Sequence, residues 1–147
     1  MAFLNGMNIS ASGLTAQRAR LDVIAENISN VNTTRTEGGE AYRRRMVVFE
    51  PRNEGSFQEI FSRTARGKYT GQQGVVVNEI IEDESPFKSV YDPTHPDADE
   101  RGYVMMPNVD LLKETIDGME ASRAYDANVT AFNALKAMAI KGLEVGK

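Results

Sequence analysis

The chain has 147 residues, 41% of them hydrophobic and 26% charged, which fits one modest folded domain with or without long extensions. Its net charge of −4 argues against a general nucleic-acid binder, which would carry a basic excess. The absence of cysteine excludes disulfides, thiolate metal ligands and thiol nucleophiles.

The first residues do not resemble a targeting segment. Residues 1–8 have no basic region, no long apolar region and no small-residue cleavage site, so they do not form a classical signal peptide. No apolar run approaches the roughly 20 residues that span a bilayer. Taken alone, these observations predict a cytoplasmic protein.

A seven-residue repeat runs through the first zone, from about residue 3 to residue 31. One heptad position is held by Met7, Leu14, Leu21 and Ile28. The other is held by Ser10, Gln17, Ile24 and Val31. This stripe predicts an α-helix whose N-terminal half is more polar. Asn8 and Ser10 are plausible N-caps, and the Asn-rich stretch at 30–32 reads as its stop.

Short apolar runs and turn residues characterise the second zone, from about residue 36 to residue 106. It holds most of the glycines and prolines. The runs lie at 46–49, 75–77, 80–81 and 103–106, and each is bounded by turn formers. This pattern predicts a small β-rich insert with long loops.

The third zone, from about residue 108 to residue 142, predicts a second long helix. Asn108 can cap it, and Asp110 lies in the first turn, where the helix dipole favours negative charge. An apolar stripe begins with Leu112, Ile116 and Met119. After a phase shift near 123–126, a stripe continues through Val129, Phe132, Leu135, Ala139 and Leu143. About 35 helical residues would extend roughly 50 Å.

Two long amphipathic helices at opposite ends of a small chain favour mutual pairing. We therefore predict an α+β fold, in which residues 1–34 and 107–147 form an antiparallel coiled coil and residues 35–106 form the β-rich insert. Such a hairpin buries each helix on one side only, and apolar residues remain outside. Exposed apolar surface of that extent usually marks an interaction surface, so the pattern indicates an assembly component.

Three motifs carry a family resemblance. Residues 12–33 include SGLTAQR and LDVIAENISNVNT, and residues 120–134 read EASRAYDANVTAFNA. Both resemble the terminal helices of flagellar axial proteins of the rod, hook and filament junction. The third motif, VYDPTHPDAD at 90–99 followed by GYV and PNVD, resembles the proximal-rod members, the FlgC family. Ser29 and Glu26 depart slightly from the usual pattern.

The resemblance implies a structural subunit of the flagellar rod, outside the cytoplasmic membrane. Such proteins leave through the flagellar type III export apparatus without a cleaved signal peptide. They polymerise helically with copies of themselves, with neighbouring rod proteins and with the membrane-ring junction protein, and they transmit torque. No nucleic acid, small-molecule substrate, cofactor or metal is implied.

The resemblance also suggests subunit-interface residues. The candidates are Leu14, Gln17, Leu21, Asn27, Ile28, Asn30, Tyr125, Asn128, Val129 and Phe132. The amides at the end of the first helix can equally satisfy local turns, and both interpretations stay open. We hypothesise that Asn128 hydrogen-bonds across the helix pair near Asn27 or Asn30, which would fix its register.

Other chemistry is less well supported. His95 with nearby acids at 92–100 suggests a metal site, but it is the only histidine, so a structural loop is the favoured interpretation. For Arg43, Arg44 and Arg45 a solvated edge is favoured over an acidic partner. Residues 67–74 lack the Walker ending, and no nucleophile motif accompanies His95. We predict no enzyme; the alternative is a cytoplasmic coiled-coil adaptor or export chaperone.

Overall fold

A computed structural model describes residues 2–52, 61 and 74–145. Two long helices flank four strands, and the element bounds in chain order are α1 Ala2–Ser29, β1 Arg45–Pro51, β2 Val75–Glu82, β3 Lys88–Tyr91, β4 Tyr103–Met106 and α2 Leu111–Val145. The glycine-containing stretch at 67–73 lies outside the described residues. The α+β prediction of two terminal helices around a small β-rich insert is confirmed.

The first helix begins earlier than the predicted caps. Asn8 and Ser10 lie inside α1, so their assignment as N-caps is wrong. The predicted stop is confirmed: α1 ends at Ser29, and the Asn30 side chain donates to the Glu26 carbonyl at 2.9 Å. An amide that satisfies the last carbonyls of a helix ends it without leaving a buried acceptor unpaired.

The insert consists of two antiparallel two-stranded sheets, β1 with β2 and β3 with β4. The runs at 75–77 and 80–81 form a single strand, because a register shift between Val48 and Phe49 accommodates an extra residue of β2. Strand β4 is confirmed, whereas β3, with the sequence KSVY, has too short an apolar pattern to be predicted.

The start of the second helix also corrects a prediction. The Asp110 carboxylate accepts the backbone N–H of Leu112 at 3.0 Å and therefore caps α2. Asn108 is not the cap. Its carboxamide instead accepts the Arg44 backbone N–H at 2.7 Å and donates to the Asp83 carbonyl at 2.9 Å.

The two helices pair antiparallel with a constant register. A Cβ at Gly6 would lie 3.3 Å from Leu135, and one at Gly13 would lie 2.8 Å from the Asn128 carboxamide oxygen. At the other end, Asn27 donates to Glu114 at 3.0 Å. In each of these pairs the two residue numbers have the same sum, as expected for straight antiparallel helices.

The centre of the helix contact differs from the predicted stripe. The contact line of α1 runs through Gly6, Gly13, Arg20 and Asn27, one residue before each apolar heptad position. Met7, Leu14, Leu21 and Ile28 are only half-buried, whereas Ser10 and Ile24 of the second heptad position are buried. Glycine lets the backbones approach closely, and the polar residues find partners on α2, so these positions displace the larger side chains to the flank.

The predicted phase shift in α2 corresponds to a change of face. Leu112, Ile116 and Met119 are 71%, 49% and 53% exposed, so the first stripe points away from α1. The inner face of this half carries Glu114 and Ala121, both 0% exposed. The prediction that the two helices pair through their apolar stripes is therefore wrong for the first half of α2.

The first sheet packs against α1. The Ser12 hydroxyl accepts the Val75 backbone N–H at 3.1 Å and donates to the Ile9 carbonyl at 2.7 Å. Gly74 precedes this contact with φ +105, where a Cβ would overlap Ser12, so glycine is required there. In the described part of the chain, neither helix is long and apolar enough to cross a bilayer.

Candidate functional site: a buried polar joint and the helix seam

A cluster of polar side chains connects both helices to the insert. We call it the polar joint, and its members are Asn27, Tyr42, Arg44, Asp83, Asn108, Glu114 and Asp117. Glu114 and Asn27 are 0% and 1% exposed. Because buried charges and amides are costly without partners, the joint is stable only when all its bonds form together.

Asn27 uses the full capacity of its carboxamide. Its oxygen accepts the Tyr42 hydroxyl at 3.0 Å and the Arg45 backbone N–H at 2.9 Å. Its nitrogen donates to the Arg45 carbonyl at 2.9 Å and to Glu114 at 3.0 Å. Both backbone groups of Arg45 thus bond to one side chain of α1, which fixes the start of β1 on that helix.

Arg44 is the cation at the centre of the joint. Its Nε donates to Glu114 at 2.6 Å, and its Nη2 donates to Asp117 at 3.1 Å. Asp83 lies 3.8 Å from Nη1. One guanidinium on the residue before β1 therefore faces carboxylates from α2 and from the loop after β2, and the charge-assisted geometry orients the three elements.

The loop after β2 is held by Asp83 and Ser85. The Ser85 amide and hydroxyl, followed by the Arg44 guanidinium, hold the pKa of the Asp83 carboxyl below its usual range. The Asn108 carboxamide nitrogen donates to the carbonyls of Asp83 and Ser85 at 2.9 and 3.2 Å. The joint thereby reaches the residues just before α2.

The central residue of the basic triplet does not lie at a solvated edge. Arg43 lies 4.4 Å above the Phe87 ring, and Arg45 donates to Glu26 at 2.7 Å. Arg44 is 9% exposed. The favoured interpretation is therefore wrong for Arg44: its acidic partners lie within the same chain, on α2 and in the loop after β2.

The phenol of Tyr42 is enclosed in the joint. Burial raises its pKa from 10.0 to about 12; Glu26 adds to this effect and Arg45 opposes it. Because the folded-state pKa is raised, the corresponding stability is fully present below pH ~10 and is lost as the pH rises through ~12. A tyrosinate would also lose its donor to the Asn27 oxygen.

Replacing Tyr42 with Phe should flatten the alkaline loss of stability. In the parent chain we expect the free energy of unfolding to fall by about 2–3 kcal/mol between pH 10 and 12 through this group. Urea unfolding followed by circular dichroism at several pH values measures the slope. Tyr91→Phe, at a 65% exposed ring, is the control. An identical slope in both variants would contradict the assignment.

The predicted interface residues divide into two groups. Asn27 is buried and fully engaged in the polar joint, whereas the remaining candidates are half-buried. These are Leu14, Gln17, Leu21, Ile28, Asn30, Tyr125, Asn128, Val129 and Phe132. Each of these side chains has part of its surface outside the contact between α1 and α2. Their role in subunit contacts stays a prediction.

The hypothesis for Asn128 is wrong. Its carboxamide nitrogen donates to the Ala124 carbonyl of its own helix at 2.8 Å, and its oxygen lies over Gly13. The polar residue that bonds across the helix pair near Asn27 is Glu114. Antiparallel register places Asn128 far from the end of α1, because α2 runs back along the full length of that helix.

Sequence reasoning missed Glu114, Asp117 and Tyr42. One signal was available in the spacing. Glu114 lies two residues after Leu112, which is a rotation of about 200° around the helix, so Glu114 and Asp117 lie on the face of α2 opposite Leu112. A carboxylate pair three residues apart on the non-apolar side reads as solvated, and only its distant partner Arg44 makes it a buried site.

The loop at 92–99 uses its polar groups internally. The Thr94 hydroxyl and amide bond to Asp92 and hold the pKa of that carboxyl below its usual range. His95 Nδ1 accepts the Asp97 backbone N–H at 3.1 Å. Asp97 also accepts the Thr34 hydroxyl at 2.8 Å, which joins this loop to the one that follows α1. These bonds support a structural role.

Family models match both ends of the chain. Residues 7–35 match the model described as flagella basal body rod protein. Residues 100–144 match the model described as flagellar basal body rod FlgEFG protein C-terminal. The first match contains most of α1, and the second contains β4 and nearly all of α2.

Full-length relatives are more specific. The chain is 48% identical over 151 residues to the flagellar basal-body rod protein FlgC of Bacillus subtilis, covering 100% of both chains. It is 46% identical over 143 residues to FlgC of Borreliella burgdorferi, covering 94% of this chain and 93% of that one. It is 42% identical to FlgC of Escherichia coli O157:H7 over 147 residues, again covering 100% of both.

Proposed function

The chain belongs to the FlgC family of flagellar basal-body rod proteins, and on that premise we propose that it is a structural subunit of the proximal rod. In this role it polymerises helically, links the membrane ring to the distal rod and transmits torque for motility. The full-length match to FlgC proteins is the observation that carries the proposal.

The outer surface of the helix pair supports an assembly role. Leu112, Ile116 and Met119 share one face of α2 and are about half exposed or more, on the side away from α1. A continuous exposed apolar stripe is costly in water and is typical of a contact surface. Together with the half-buried interface candidates along the contact between α1 and α2, this stripe offers several faces to neighbouring subunits.

The polar joint supports a mechanical role. Its carboxylates face a guanidinium or amides, and its bonds connect α1, β1, the loop after β2 and α2. A fully bonded buried network resists relative movement of the elements that it connects. A subunit that transmits torque needs such a rigid link between its helices and its insert.

Family membership supports a proposal about the partners. Rod proteins assemble with other rod and flagellar components, and for this chain we propose copies of itself, neighbouring rod proteins and the membrane-ring junction protein. We also propose export by the flagellar type III apparatus without a cleaved signal peptide, and a final location in the basal body outside the cytoplasmic membrane.

An in-frame deletion of the gene tests the proposal. We expect basal bodies that retain the membrane ring but lack rod and hook in electron micrographs, and cells that do not swim. The intact gene supplied in trans should restore both. Intact rods in the deletion strain would contradict the proposal and would favour the adaptor or chaperone role, in which the protein stays in the cytoplasm.

A further inference from the structure

The positions at which α1 and α2 meet recur every seven residues on both helices. From one end of the pair to the other, the contacts on α1 are Gly6, Gly13, Arg20 and Asn27. In the same order, the residues opposite them on α2 are Leu135, Asn128, Ala121 and Glu114. Because the two spacings are equal, a slide of α2 along α1 by one heptad, about 10 Å, brings these positions opposite one another again.

One direction of this slide gives sound packing contacts. Gly6 would lie opposite Asn128, in the kind of contact that Gly13 makes in the structure. Gly13 would lie opposite Ala121, and two small residues let the helix backbones approach closely. We call this arrangement the shifted register, and the arrangement in the structure the observed register.

The shifted register also pairs opposite charges. Arg20 would lie opposite Glu114, whereas in the observed register it lies opposite Ala121 and reaches Asp117 at 3.6 Å. A slide in the other direction would instead place Asn27 opposite Ala121, where its carboxamide would lose Glu114 and meet no polar partner. Charge and hydrogen bonding therefore favour one direction of slide over the other.

The half of the helix pair far from the polar joint selects only weakly between the two registers. Gly6 and Gly13 have no side chain to insert between residues of α2. Across residues 122–144 of α2, every side chain is half-buried or exposed. Such side chains are not interlocked as those of a close-packed core are. The slide would cost this half one heptad of overlap and would uncover no buried side chain of α2.

The polar joint bonds α2 at a residue that the slide would move. Glu114 accepts Asn27 at 3.0 Å and Arg44 at 2.6 Å, and these bonds hold α2 at a single position along α1. We propose that the polar joint is a register lock: while it is closed it holds the observed register, and when it opens α2 slides by one heptad and the helix pair persists. This device acts within a single chain, independently of any assembly in which the chain takes part.

The segment between β4 and α2 is long enough for the slide. Residues 107–110 are held by Asn108, whose carboxamide belongs to the polar joint, and by the 2.8 Å bond from Lys88 to the Val109 carbonyl. Once these bonds open, the five Cα–Cα steps from the end of β4 to the start of α2 can span about 17 Å, against a slide of about 10 Å. The insert can therefore stay on α1 while α2 moves.

Two disulfide reporters distinguish the registers. The chain contains no cysteine, so at low protein concentration two introduced cysteines react with each other. Gly13→Cys with Asn128→Cys reports the observed register, and Gly6→Cys with Asn128→Cys reports the shifted one. In the observed register positions 6 and 128 are offset by about 10 Å along the helix axis, beyond the reach of a disulfide. Rates of disulfide formation under mild oxidation are followed on non-reducing gels.

Asn27→Asp should open the lock. The new carboxylate would face Glu114 at about the 3.0 Å of the present bond, and like charges at that distance repel. We expect the rate of the 6–128 disulfide, relative to that of the 13–128 disulfide, to rise at least about tenfold over the parent chain. Adding Arg20→Met should reverse most of this rise, because the shifted register then loses its ion pair. Asn8→Asp, the same change at an exposed position of α1, should leave both rates unchanged.

Arg44→Met opens the joint in a second way, by removing the cation bonded to Glu114, and should raise the same ratio. Circular dichroism of each variant separates sliding from melting. A ratio that stays at the parent value in both variants, with the helical signal retained, would mean that packing alone fixes the register. Loss of the helical signal, with the two disulfides forming at equal rates, would mean that the helix pair melts when the joint opens. Either result overturns the register lock.

Discussion

Replacing Arg44 with Met should lower the free energy of unfolding by about 3–5 kcal/mol, the usual cost of removing one partner from a buried ion pair. Glu114, 0% exposed, would lose its 2.6 Å bond and remain enclosed as a charge with only Asn27. Asp117 would lose its 3.1 Å contact as well. Urea unfolding of the purified protein measures the change.

Two further variants test the reason for this loss. Arg35→Met removes an ion pair with Asp97 at 3.8 Å from a side chain that is 72% exposed, and should cost no more than about 1 kcal/mol. The double variant Arg44→Met with Glu114→Met should recover part of the loss, because it removes the stranded charge too. Equal effects of the Arg44 and Arg35 changes would refute a buried central role for Arg44.

The effect of Gly13→Ala should change sign with the residue at position 128. In the parent chain the new Cβ would lie 2.8 Å from the Asn128 oxygen, so we expect a loss of about 1–3 kcal/mol. Asn128 is held by its 2.8 Å bond to the Ala124 carbonyl and moves away only by losing it. In an Asn128→Ala background the same change should stabilise by up to about 1 kcal/mol, since alanine favours a helix more than glycine.

Thermal or urea unfolding of the four proteins in this cycle gives the coupling energy between the two positions. The matched control is Gly142→Ala on α2, where a Cβ would meet nothing within 4 Å. It should stabilise in either background. A Gly13→Ala variant that stabilises the parent chain would mean that the helices are further apart at this point than described.

The elements were largely predictable because their signals are local. The heptad spacing of Met7, Leu14 and Leu21 predicts α1 without knowledge of its partner, and turn residues delimit the insert. Strand β3 was not predictable from its four residues, because it forms only through pairing with β4 across the loop at 92–102. Capping by Asp110 rather than Asn108 was a choice that tertiary contacts decided.

The candidate site was less predictable because its members are distant in sequence. Asn27 was chosen as an interface residue, yet its partner Glu114 lies 87 positions away. Arg44 read as exposed because charged residues in a strand usually face water. Only the antiparallel register of the helices brings the acids of α2 to the start of β1.

By itself the sequence determined the two helices, the β-rich insert and the family, because periodicity, turn chemistry and motifs are properties of short segments. The tertiary structure decided which faces pair. It placed Gly6 and Gly13 on the helix contact, displaced the heptad position of Met7, Leu14 and Leu21 to the flank and turned the first stripe of α2 outward. The physical reason is that burial of a polar group depends on its partner, and close approach of two helices depends on the residue opposite, so neither can be read from one segment alone.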